Sequence, residues 1–528
     1  MQRRNKPEVL APAGNLRGLK TAVDYGADAV YCGGKAFGMR SAPKNLSLED
    51  FEEGARYAHE RGARVYVTFN VLPRNNEVEA MREYLGKLKD TGVDALIVSD
   101  IGVMLMAKQV APNLELHVST QAGVTNYQAA NAFYELGARR VVLAREMDLQ
   151  AVRDIRARIP DDLDIECFVH GAMCMAFSGR CLFSNYLTGR DGNHGECAQP
   201  CRWKYSIVEE KRPGQYFPIE QTAEGAYLFN SQDMNMLAHI DDLLDSGATS
   251  LKIEGRSKSA YYIAAMTNAY KTAVNEYMVQ RGFEDADGNV LKPFRDRVIR
   301  PGDPEYGKPD TEDAIMSNAD GAFAGKPDID AVPVGGVPSG NVSAGNVSSG
   351  NIAIGEPDNL SYHARSTRRK SNTAAEILPE GWHHAGVRPA PHVTLPDWLL
   401  DEPDKVAHRD YSTGFYYPEH KVQQSTDRSA YFRAWLVVGE VLSWSPEDGG
   451  RVTIMSRNKI EAGQEVEFVL PARPPSPTPC LPAVSVTPTA TVEAINNPAH
   501  VFSMPCPQEV PVNAAIRSRT KKPTLKAE

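Results

Sequence analysis

The sequence predicts an α/β protein: a (β/α)8 TIM-like barrel, a small C-terminal β-barrel domain, and a long disordered insertion between them. Three observations predict it. Short apolar runs alternate with amphipathic helical patterns over the first 280 residues, eight such runs are present, and beyond residue 430 the pattern changes to β-branched strands separated by turn signals. Strands that alternate with helices belong to a parallel sheet, and eight of them favour a closed barrel over an open doubly wound sheet.

Taken in order, the strand candidates are Glu8 to Leu10, Ala29 to Cys32, Arg64 to Phe69, Ala95 to Ser99, Glu115 to Ser119, Arg140 to Leu143, Asp164 to Val169 and Ser250 to Ile253. Between them lie helical patterns such as LSLEDFEEGARYAHERG, EVEAMREYLGKLKDTG and NYQAANAFYELG, each closed by a glycine that suits the left-handed C-cap. Barrels of this kind gather their sites at the carboxyl ends of the strands. That rule nominates Asn70, Asp100, Ser119 with Gln121, Arg145 with Glu146, His170, and Glu254 with Arg256. A helix cap or a loop hydrogen bond is the plain alternative for any one of them.

Composition narrows the class. The chain has 528 residues, 42% hydrophobic and 24% charged, with a net charge of -9, so nucleic-acid binding needs a local basic patch. The opening MQRRNKPEVLAPAG has no apolar core of an export signal, and no apolar run reaches the roughly 18 residues of a membrane span. A cytoplasmic address is the expectation, and there clustered cysteines are metal ligands or catalysts sooner than disulfides.

Five of the eight cysteines fall between Glu166 and Trp203. Cys174, Cys181, Cys197 and Cys201 form a C-x6-C-x15-C-x3-C pattern in a Gly-rich polar stretch after the seventh strand. Four thiolates on loops suit tetrahedral zinc or an iron-sulfur cube, and spacing alone does not choose. The lack of a tight C-x2-C pair tilts the reading toward a cluster. Such a metal can also serve only to clamp the barrel mouth. Cys167, Cys32, Cys480 and Cys506 read as core residues.

Residues 281 to 400 lose this order. They are rich in Pro, Gly, Asp and Ser, contain three near copies of a five-residue unit from Ser339, and carry one basic spot at 366 to 370, so a disordered insertion is expected. Residues 401 to 429 contain HRDYSTGFYY and are expected to pack on the barrel; 430 to 516 form the β-domain, with the Pro-rich tract 471 to 482 looped out; 517 to 528 form a basic tail able to track phosphates. Cations and aromatics also mix in CRWKY, 201 to 205, which suits a nucleic-acid surface, as it suits an ordinary domain interface.

Glu166, Phe168, Gly171, Ala172, Met173, Cys174, Gly179, Cys181 and Ser184 resemble the signature of the peptidase U32 family, the collagenase-like proteases, with Phe183 where an aliphatic residue is usual. LAPAGN, YGADAVYCGGKAFGMR, HVSTQAGVTN, AQPCRWKY and LKIEGRSKSAYYIAAMTNAY strengthen the likeness, which covers roughly residues 6 to 280 and resumes at 401 to 418 and 456 to 468. The chain is most similar to the branch of RNA hydroxylases. That resemblance implies a 4Fe-4S cluster on Cys174, Cys181, Cys197 and Cys201, prephenate as co-substrate, the tRNA anticodon loop as partner, and 5-hydroxyuridine at the wobble position as product. Sister branches hydroxylate a ribosomal RNA cytidine or a ubiquinone precursor, and a partner protein of the same family is a further expectation. U32-type peptidase activity is the alternative, although neither HExxH nor GxSxG occurs and four cysteines on one zinc leave no open position.

Prephenate brings two carboxylates, so Arg145, Lys252 and Arg256 are its candidate binders, with ion pairs to Glu146 and Glu254 as the competing role. His170 and Glu254 are the candidate catalytic residues, Trp203 a candidate RNA contact. His170 four residues before Cys174 also reads as a base for a thiolate, or as a histidine merely supporting the cysteines.

Overall fold

The computed structural model describes residues 6–38, 45–203, 231–291, 392–420, 431–474 and 490–524, together with 205, 207–208, 214, 216–217, 294, 476–479 and 484–487. Cys480 and most of the segment 281–400 lie outside the described residues. The two flanks of that segment do not fit the expectation of disorder. Phe283, Phe294, Val393, Leu395 and Leu399 are buried in the main core, where their apolar area is withdrawn from water.

All eight expected barrel strands are present. β1 (Glu8–Ala13), β2 (Ala29–Gly33), β3 (Arg64–Phe69), β4 (Ala95–Val98), β5 (Glu115–Val118), β6 (Ala138–Val142) and β7 (Asp164–Ala172) pair in sequence order. Two short strands, β8 (Ile207–Val208) and β9 (Tyr216–Phe217), form a separate hairpin, and β10 (Asp233–Asn235) precedes β11 (Ser250–Ile253). β11 pairs in parallel with both β7 and β1 and closes the barrel. The strands are buried on both faces, which is why they read as apolar runs without alternation.

Inward charges tie the closing seam. Arg140, fully buried, donates to Glu8 at 2.5 Å, to Glu166 at 3.0 Å and to Ser250 at 3.2 Å, and Lys252 pairs with Glu166 at 2.6 Å. Two cations and two carboxylates thus share one dry interior, and removing one member strands the others. The helices start just past the strands because polar caps stand there: Asn15 accepts from Gly18 N, Ser47 from Asp50 N, Asp100 from Val103 N and Asp148 from Ala151 N. Asp100, nominated as a strand-end candidate, is therefore the cap of the helix Ile101–Val110.

The sheet extends beyond the barrel. β10 runs antiparallel along β7, and β12 (Tyr411–Ser412) pairs with β10. The buried pair of Arg409 with Asp233, at 2.5 Å, fixes this addition. The C-terminal part is an eight-stranded antiparallel sheet containing β13 (Arg433–Ser445), β14 (Arg451–Ser456), β16 (Glu465–Val469), β17 (Ser476–Pro479), β18 (Val484–Thr487), β19 (Ala490–Val492), β21 (Val501–Pro505) and β22 (Ala515–Thr524), in the order β17-β16-β22-β13-β14-β21-β18-β19. β15 (Ile460–Glu461) and β20 (Ala494–Ile495) pair beside it.

Two expectations are corrected here. The segment from 517 is no tail: β22 lies between β13 and β16, and Arg517 is buried against Glu402 at 2.6 Å and Glu467 at 2.8 Å. Carboxylates from distant segments neutralise it. Part of the Pro-rich tract is not looped out either, because Ser476–Pro479 is the edge strand β17, where a proline costs no ladder bond on the open side. Among the described residues no helix is long and apolar enough to cross a membrane.

Candidate active site and cysteine centre

A cavity opens at the carboxyl ends of the barrel strands. Cys174, Cys181, Cys197 and Cys201 all line it, together with Asn70, Ser119, Gln121, Arg145, Phe168, Lys252, Glu254 and Arg256. Residues spread over the first 256 positions converge there because they lie inward on the parallel strands, just past their carboxyl ends, or on the loop after β7.

The cysteine loop leaves β7 through Gly171, whose φ of +103° puts it in the left-handed region. A Cβ there would sit 2.4 Å from the Glu254 carbonyl oxygen, so only glycine allows this close crossing. Cys174 follows at once, Cys181 precedes the helix Phe183–Thr188, and Cys201 sits in a single turn, Pro200–Arg202. The loop is staked to the barrel. The Glu146 carboxylate accepts from Ser178 N and Oγ, both at 2.7 Å, and Asn193 bonds the Cys181 backbone in both directions.

Two sulfurs already accept backbone hydrogen bonds, Cys181 from Phe183 N and Cys197 from Gln199 N, each at 3.3 Å. The Cys201 thiol is pushed up by burial, relieved by Arg202, and pushed up again by the other three sulfurs, so four thiolates together need a cation. Among the described residues, the only three or more ligating atoms within 4.8 Å of one another belong to Asp241, Asp242 and His392. The donor set, four sulfurs lining one cavity, fits a soft metal centre, a cubane cluster included.

The three candidate cations each have a defined anchor. Arg145 pairs with Glu254 at 3.2 Å, donates to the Ala172 carbonyl at 3.3 Å and lies 3.8 Å over the Phe168 ring. Its expected competitor, Glu146, is engaged with Ser178 instead. Lys252 is held by Glu166 and stands 4.3 Å from the Tyr31 ring centroid. Arg256 donates to Thr68 Oγ1 at 2.9 Å and Asn45 Oδ1 at 3.0 Å. Gly33 makes room for it, since a Cβ there would meet Arg256 Nη2 at 1.9 Å.

His170 is not in the cavity wall. It is 1% exposed, faces the rings of Tyr262, Tyr270 and Tyr411, and burial pushes its pKa down to about 3. A register shift between Lys252 and Ile253 sets it opposite Ile253, not on the inward side with Phe168. A role as base for Cys174 does not fit this placement. Glu254 keeps its carboxylate at the cavity, and Trp203 is exposed beside Cys201. Cys32, Cys167 and Cys506 are buried, and burial pushes the Cys32 and Cys167 thiols up to about 12. Tyr31, Thr68, Ser99 and Gly33 escaped the strand-end rule because they lie inside strands or at the turn after one; inward alternation around Arg256 was the available signal.

Residues 14–303 match Peptidase family U32, and residues 433–517 match the Peptidase family U32 C-terminal domain. The chain belongs to peptidase family U32. Three relatives of this U32 chain bear on its chemistry. The tRNA hydroxylation protein P1 of Bacillus subtilis (strain 168) is 40% identical over 272 residues, 52% of this chain and 64% of that protein. The tRNA hydroxylation protein P of Helicobacter pylori (strain J99 / ATCC 700824) is 43% identical over 295 residues, 54% of this chain and 70% of that protein. The 23S rRNA 5-hydroxycytidine C2501 synthase of Escherichia coli (strain K12) is 37% identical over 275 residues, 52% of this chain and 40% of that protein. The U32 chain thus spans just under two thirds of the length of the Bacillus relative.

Proposed function

We propose that this chain is an RNA hydroxylase that forms 5-hydroxyuridine at the tRNA wobble position, using a 4Fe-4S cluster and prephenate. The observation that carries the reading is the convergence of four cysteines and three cations on one barrel-mouth cavity in a chain that is 43% identical, over 54% of its length, to a tRNA hydroxylation protein. A cytoplasmic address accompanies that substrate. Cys174, Cys181, Cys197 and Cys201 would hold the cluster, which supplies redox chemistry that side chains lack. Arg256, Lys252 and Arg145 are suited to receive the carboxylates of prephenate, and Glu166 and Glu254 keep the last two aimed inward. Glu254 is the carboxylate positioned to move a proton in the cavity. On the cysteine-bearing segment Phe177, Tyr186 and Trp203 are exposed, as are Arg180 and Arg190, a mixture suited to a splayed-out loop base and its phosphates.

The test has two parts. Anaerobically purified chain is expected to carry iron and sulfide and to be coloured, and serine in place of any one of the four cysteines is expected to bleach it and to abolish 5-hydroxyuridine. A colourless protein that still hydroxylates would sink the cluster. Nucleoside mass spectrometry of tRNA and ribosomal RNA from a deletion strain decides the substrate: loss from ribosomal RNA alone points to the cytidine reaction. Peptidase activity has less support, because the base nearest Cys174 in sequence, His170, is buried among tyrosines.

A further inference from the structure

Gln121 stands in the turn Thr120–Ala122 that follows β5, and its carboxamide is held from one side. Its Oε1 lies 3.0 Å from Asn70 Nδ2, 3.2 Å from Ser99 Oγ and 2.5 Å from Ser119 Oγ. A carboxamide offers an acceptor and two donors, and the partners decide which way it turns. Asn70 Nδ2 can only donate and both serine hydroxyls are able to, so the Gln121 atom that faces all three is its oxygen. The rest of the network agrees. Asn70 Nδ2 donates to Ser119 Oγ at 3.2 Å, and the serine gives its one proton to Gln121. The amide nitrogen is left on the opposite side of a residue that lines the cavity, and among the described residues no acceptor takes its hydrogens.

We propose that Gln121 is a ligand-reading residue whose two N–H groups bind an acceptor-only oxygen, carbonyl or carboxylate, on the molecule that fills the cavity. The inference rests on the hydroxylase reading and names the chemistry at one wall of its site. Two molecules in that reading bring such an oxygen: a uracil base with its ring carbonyls, and prephenate with its carboxylates. A cytosine amino group at the same edge would set donor against donor.

Gln121→Glu keeps the side-chain length and an oxygen toward Ser119, and replaces the donors by an acceptor. Gln121→Met keeps the length and removes both. Full-length protein, isolated with its iron, is titrated with prephenate by calorimetry and with an anticodon stem-loop RNA bearing a wobble uridine by fluorescence anisotropy. Tenfold or greater weakening is expected in one titration, larger for Glu than for Met, and the probe that responds identifies the oxygen. Should the Glu variant fail to fold, judged by its melting temperature, the Met variant decides. Wild-type affinity for both probes in the variants, with 5-hydroxyuridine still made by the unaltered chain, overturns this inference and leaves the hydroxylase reading standing. An unaltered chain that binds neither probe overturns both.

Discussion

Arg256 occupies space that only a glycine at position 33 leaves open. The obstructing atom would be the tip of a long side chain, so Gly33→Ala is expected to fold, to displace the guanidinium from Thr68, and to lower 5-hydroxyuridine in cells at least tenfold, the same outcome expected of Arg256→Ala. Wild-type levels in Arg256→Ala would remove this residue from the site. Strand-end reading found Arg145, Glu254 and Arg256 because inward positions at the top of parallel strands face the cavity. It misplaced His170, since one shifted register beside Lys252 turns an inward position outward, and nothing in the order of residues announces such a shift.

At the scale of elements, β22 shows what pattern cannot carry. Its basic sequence looks solvated, yet Arg517 is buried between Glu402 and Glu467 and within 3.4 Å of the Tyr261 hydroxyl. Arg517→Ala would leave Glu402, 1% exposed, without the guanidinium that donates to both of its oxygens. A loss of about 3–5 kcal/mol is expected in denaturant unfolding; a loss below about 1 kcal/mol would mean that Lys405, 3.3 Å from Glu402, compensates. The eight barrel strands were legible because burial on both faces writes itself as apolar runs. β10 and β12 were not, since strands of two or three residues owe their existence to a neighbour and not to local pattern.

For the molecule as a whole, two buried histidines set the response to acid. Burial, with Arg140 adding, pushes His117 down to about 4, and burial pushes His170 down to about 3. Both are neutral in the fold, while the unfolded chain takes up their protons near pH 6.5. Their stabilisation is complete above that value and falls as the pH drops below it, by about 1.4 kcal/mol per pH unit for each group. Denaturant titrations at pH 7, 6 and 5 check this, in a window where free carboxylates remain ionised; equal stability at pH 7 and 5 would exclude it.

Barrel closure depends on β11, the last of the eight strands to be synthesised, because the Arg140 network needs Ser250 to complete it. Cys201 precedes Ser250 in the chain. A growing polypeptide therefore delivers all four thiols to the surrounding solution while its barrel is still an open sheet. For a time the ligands of the centre exist without the cavity that will enclose them, exposed to any metal or oxidant in reach. If the proposed cluster is what these thiols hold, iron and sulfide would have to reach them in reducing surroundings from translation onward.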